Sequence, residues 1–107
     1  MDPMKHKDIL VPTDFSEVCE NAMYQAADTA SRFNSRVTLL HVIDSNTKSM
    51  LRKEGQDESH IEQRLRTIAE KLSDEKDITV EIAYREGNIF TTISEVAEEI
   101  GASLIFL

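Results

Sequence analysis

This sequence is poor in the residues that a disulfide scaffold, a glycine-built phosphate cradle or a membrane span requires. A single cysteine, Cys19, rules out an internal disulfide, and a disulfide-free small domain points to the cytoplasm. Glycine occurs only at positions 55, 87 and 101. None of the three falls in a G-x-x-G grouping after a strand, so no loop brings several backbone N–H groups to one anion. Basic residues are also scarce, with 12 Lys and Arg against 20 Asp and Glu and a net charge of −8. That balance excludes nucleic acid and anionic membranes as partners, since both need a basic surface. Lys5, His6 and Lys7 are the nearest approach to a basic cluster, and they form a short leader before a strand. No apolar run reaches the roughly 20 residues of a membrane helix, and no charged start precedes an apolar signal core.

What is present is a βα pattern with clear punctuation. Ile9, Leu10 and Val11 form an unbroken apolar run, as in a strand buried on both faces of a parallel sheet. Pro12 cannot donate to a ladder and closes that strand. Ser16 is suited to N-cap a helix whose first turn holds Glu17 and Glu20, favourable at the positive helix end. The apolar positions Val18, Ala22, Met23, Ala26, Ala27, Ala30 and Phe33 then form a helical stripe of mostly small residues. Cys19 falls on the apolar face, where a small core residue is predicted over a reactive thiol. Asn34 is placed for a left-handed C-cap, and Val37 to Ile43 is a second strand.

The remainder repeats this alternation. Asp44 to Gln56 is polar and predicts a loop, flexible over 44–57, with Met50 and Leu51 able to begin a helical turn. Ile61, Leu65, Ile68, Ala69 and Leu72 mark one face of a helix. Ile78 to Tyr84 alternates, with Ile78, Val80, Ile82 and Tyr84 on one side, which predicts an edge strand. Asn88 is a helix N-cap, Ile89 to Ile100 the helix, and Gly101 its C-cap. Leu104 to Leu107 is again continuously apolar, an interior strand by pattern. The order β-α-β-α-β-α-β requires an α/β fold with a parallel sheet and right-handed crossovers. An alternating third strand at the edge gives the spatial order 3-2-1-4, in one domain over residues 1–107.

This succession resembles the universal stress protein family. The residues that carry the resemblance are Ile9-Leu-Val-Pro-Thr-Asp-Phe-Ser16, Asn21-Ala22 with the alanine-rich helix, Leu39-Leu-His-Val42, Gly87, the helix Ile93 to Glu99, and Ala102 to Leu107. The resemblance covers nearly the whole chain. It implies a domain incomplete at its C-terminal end, because family members continue past the fourth strand into a glycine-rich loop, a further helix and a fifth strand. It also implies a small, non-catalytic cytoplasmic module of the stress response, one that dimerises. The alternatives are a nucleotide-independent dimeric interaction scaffold and a small nucleotide hydrolase.

Ligands of open α/β sheets bind beyond the carboxyl ends of the strands, at the switch point between strands one and four. By resemblance, the adenosine half of a nucleotide site falls on Pro12, Thr13, Asp14, Val42 and Leu107. Asp14 then accepts from a ribose hydroxyl, or it caps the helix that begins near Ser16. Both roles stay open. The family's phosphate-binding loop follows strand four, so no cofactor is expected in this chain, while ATP belongs to a full-length parent. No catalytic constellation is visible. His6, His41 and His60 are scattered, with His41 a satisfied core histidine rather than an acid–base group, and no His, Cys and carboxylate spacing forms a metal site.

Overall fold

The computed structural model describes residues 8–106. Its four strands are β1 (Asp8–Pro12), β2 (Arg36–Ile43), β3 (Val80–Glu86) and β4 (Ala102–Ile105), and its helices are α1 (Glu17–Phe33), α2 (Ser45–Lys53), α3 (Glu58–Lys76) and α4 (Ile89–Ile100). The strands form one sheet of order β3-β2-β1-β4, and each of the three neighbouring pairs is parallel. This is the predicted α/β architecture.

The two sheet faces are covered differently. Ile9 and Val11 of β1 and Leu39 and Ile43 of β2 pack with Met23, Ala26, Ala27 and Ala30 of α1 and Leu65 and Leu72 of α3. Leu10, Leu40 and Val42 point the opposite way, against Val96 and Ile93 of α4. The alanine stripe explains the first layer, since small side chains let α1 lie close to the strands. At the foot of the sheet Arg36 donates two hydrogen bonds to buried Asp8, at 2.9 and 3.1 Å, which fixes the register of β2 on β1.

The helix ends follow the sequence. Ser16 Oγ accepts from Cys19 N, and Asn34 and Gly101 take the left-handed conformation as C-caps. Asn88 Oδ1 accepts from the N–H groups of Phe90 and Thr91.

Four expectations are corrected. The segment predicted as a loop over 44–57 contains α2, because Asp44 caps it by accepting from Thr47 N and Leu51 is buried in the core. A buried leucine every few turns is enough to hold a short polar helix once its cap is made. Val18 and Phe33 do not belong to the buried stripe of α1, being 77% and 69% exposed. Val18 precedes Met23 by five residues, about 140° around the helix, and Phe33 occupies the last position before the cap. Leu104 and Ile105, interior by pattern, are 47% and 43% exposed, because β4 is an edge strand among the described residues. Cys19 is half-buried rather than part of the core.

Candidate nucleoside site

The turn from β1 into α1 is held by short-range polar bonds. Thr13 N donates to the Leu40 carbonyl at 2.8 Å, which extends the β1–β2 pairing beyond the strand. The Thr13 carbonyl meets His41 Nδ1 at 2.8 Å. Thr13 Oγ1 accepts from Phe15 N, and Asp14 Oδ1 accepts from Ser16 N at 2.9 Å. Phe15 has φ of 68°, a left-handed conformation that is unusual for an aromatic residue. Its ring stacks on the His41 imidazole, with centroids 4.7 Å apart. This network turns the chain through a tight corner and presents Asp14 to solvent.

Beyond the carboxyl ends of β1 and β2 lies a cavity of about 230 Å³. Pro12, Thr13, Asp14 and Val42, all candidates from the sequence, line it together. Cys19, Leu40, His41, Asp44, Thr47, Ile89 and Ile93 complete the wall. Leu107, the remaining candidate, lies outside the described residues. Asp44 and Thr47 have a weak local signal, since an aspartate suits an N-cap but the polar run after it also suits a loop. Ile89 and Ile93 had no local signal, since only the path of α4 across the sheet brings them to the crevice.

The chemistry of the wall is acidic and apolar. The neighbouring Ser16 and Cys19 side chains, with the Ser16 N–H that donates to it, lower the Asp14 pKa to about 2. The Thr47 N–H holds the Asp44 carboxylate below the usual range. The helix N-cap is Ser16, whereas Asp14 holds the turn before it by accepting from Ser16 N, and its carboxylate lines the cavity. No lysine or arginine lines this cavity among the described residues. Pro12, Leu40, Val42, Ile89 and Ile93 supply an apolar slot flanked by two anions. Such a wall suits a flat ring with hydroxyl donors and disfavours a phosphate chain.

His41 is buried, and only half of its polar capacity is met. Nδ1 is paired with Thr13, while Nε2 has no partner among the described residues. The predicted fully satisfied core histidine is corrected to that extent.

A larger cavity of about 660 Å³ runs along the edge strand β3, by Asp8, Arg36, Glu62, Arg66, Arg85 and Glu99. Six of its seven charges pair off as Arg36–Asp8, Arg66–Glu62 and Arg85–Glu99, leaving Glu81. No group of three metal-ligating side chains occurs among the described residues. No helix among them is long and apolar enough to cross a membrane.

A four-stranded parallel sheet of order β3-β2-β1-β4, with helices on both faces and a cavity beyond the carboxyl ends of β1 and β2, defines an open α/β domain. The universal stress protein family profile matches residues 5–107, and the chain belongs to that family. It is 29% identical over 102 residues to a universal stress protein of Synechocystis sp., covering 94% of this chain and 65% of that protein. The chain thus spans somewhat under two thirds of that relative's length. The universal stress protein UspA from Lactobacillus plantarum has the same fold, with a TM-score of 0.75 at 22% identity over 94% of this chain and 74% of its own. A universal stress protein solved in complex with cAMP superposes with a TM-score of 0.73 at 18% identity, over 94% of this chain and 70% of its own.

Proposed function

We propose that this chain is a non-catalytic, cytoplasmic stress-response module that binds the nucleoside part of an adenine nucleotide at the β1–β2 crevice. The observation that carries the reading is the convergence of Pro12, Thr13, Asp14 and Val42 on one cavity, with Asp14 ionised at its mouth. The adenine ring occupies the apolar slot between Val42 and Ile93, and the ribose hydroxyls donate to Asp14. The cAMP complex of a protein with the same fold supports a ligand of this class. ATP gains nothing over adenosine here, because no lysine or arginine among the described residues lines the slot and two carboxylates flank it.

Calorimetric titration with adenosine, cAMP and ATP tests this. Adenosine binding that is weakened by Asp14→Ala, with ATP no tighter, supports it. ATP tighter than adenosine by tenfold or more, or no binding of any of the three, overturns it. The scaffold reading is favoured by one observation, the open apolar edge of β4. Self-association without any nucleotide binding would select it.

A further inference from the structure

A second crevice lies between α1 and α3, on the other side of the Phe15 corner from the nucleoside cavity. It encloses about 230 Å³, with Met23, Ile68 and Leu72 as its apolar lining and Phe15 and Tyr24 as its aromatic sides. Arg64 and Lys71 stand at its rim together with Glu20. Two cations against one anion is a local surplus of positive charge in a chain whose net charge is −8.

Arg64 is the distinctive residue. Its guanidinium carbon lies 4.0 Å from the Phe15 ring centroid. Because His41 stacks on the same ring, Phe15 is held between the imidazole and the guanidinium. Arg36, Arg66 and Arg85 each have a carboxylate partner, whereas Arg64, like Arg32 and Arg52, has none among the described residues, and of these three Arg64 is the one set over an aromatic ring. A guanidinium laid flat on an aromatic ring keeps its N–H edge free, and that edge matches a carboxylate in two parallel hydrogen bonds. Lys71 lines the same crevice, and Tyr24, with smaller contributions from Glu75 and Glu20, raises its pKa above the ordinary lysine value.

We propose that this crevice binds a small carboxylate with a flat apolar body, seated with its carboxylate on Arg64 and its body between Phe15 and Leu72. The volume lies below the roughly 300–1,000 Å³ of pockets that take drug-sized ligands, so the ligand is compact. A singly charged ligand fits the surplus of one positive charge, whereas a phosphate dianion is opposed by Glu20 and by the charge of the chain. The site is separate from the nucleoside cavity and does not depend on that assignment, although the two share the Phe15–His41 stack as a common wall.

Titration of the isotope-labelled protein with benzoate, followed by NMR, tests the proposal, with benzamide and acetate as the neutral and the bodiless controls. The expected result is saturable shifts at Phe15, Met23, Leu72 and the Arg64 side chain, with benzamide and acetate each at least about tenfold weaker. Arg64→Gln, an exposed substitution, reduces benzoate affinity about tenfold or more, as the loss of a charge-assisted pair does. Lys71→Gln reduces it by a smaller factor. Four results overturn the proposal: no saturable shift at these residues, shifts confined to Val42, Asp44 and Thr47, unchanged affinity in Arg64→Gln, or benzamide binding as well as benzoate.

Discussion

His41 Nδ1 lies 2.8 Å from the Thr13 carbonyl, so the middle of β2 holds the turn that follows β1. The bond fixes the tautomer with the proton on Nδ1, and the same ring supports Phe15 in its left-handed conformation. His41→Ala removes a buried hydrogen bond of about 1 kcal/mol and an aromatic contact of about 0.5–1.5 kcal/mol, and it leaves a cavity. A total loss of roughly 2–4 kcal/mol is expected from urea unfolding. The double variant with Phe15→Ala should be less destabilised than the sum of the two, by about 0.5–1.5 kcal/mol. Strict additivity would show that the stack is a bystander.

Gly87 is the most constrained glycine. Its φ is 152°, and a Cβ placed there would stand 2.8 Å from Thr92 Oγ1, a buried side chain in the first turn of α4. Its N–H also donates to the Ile43 carbonyl at 3.1 Å, so the backbone cannot swing away without losing that bond. Gly87→Ala should cost about 1–3 kcal/mol, from strain and displacement of Thr92 together. Gly55→Ala meets no neighbouring atom within 4 Å and should cost less. Equal thermal midpoints for the two variants would contradict this account.

The strands and most helix ends were legible because their signals are local. Ile9 to Val11 with Pro12, the caps Ser16, Asn34 and Asn88, and Gly101 each state their conformation within a few residues. The alternation of Val80, Ile82 and Tyr84 was enough to put β3 at an edge, and the order of the sheet followed. The failures are tertiary. The helix α2 depends on the burial of Leu51, which a polar stretch does not announce, and Val18 carries an apolar label but faces water. In the site, Pro12, Thr13 and Asp14 follow from the general placement of ligands at strand ends, and Val42 from the family resemblance. Ile89 and Ile93 could not be found, because a crossover helix chooses its position by packing.

Asp14 gives a pH signature. Its carboxyl is lowered from 3.8 to about 2 in the folded protein. A group with a depressed folded pKa stabilises the fold fully above its unfolded pKa, and this contribution disappears as pH falls through the folded value. The effect is small, because Asp14 is exposed. The difference in urea midpoint between the natural protein and Asp14→Asn should therefore be constant above about pH 4 and shrink towards pH 2. Asp44 and Asp57, also lowered, are common to both proteins and cancel in the difference. Curves that run parallel down to pH 2 would remove Asp14 from this role.

The outer edge of β4 is the expected contact for any self-association. Ala102 to Ile105 carry no charge, and Leu104 and Ile105 are nearly half exposed on a strand that pairs only with β1 among the described residues. Natural edge strands are usually blunted by lysine, proline or a bulge that turns the edge away, and no lysine or proline occurs in this strand. Covering the exposed half of two such side chains contributes roughly 1.5–3 kcal/mol per copy, and strand pairing adds main-chain hydrogen bonds. Association itself costs about 4–15 kcal/mol, so the pairing of two β4 edges is weak and visible only at high concentration. Sedimentation equilibrium should show a monomer–dimer equilibrium that Leu104→Lys abolishes while the circular dichroism stays unchanged. A strict monomer at millimolar concentration, or a dimer that survives Leu104→Lys, would exclude β4 as the contact.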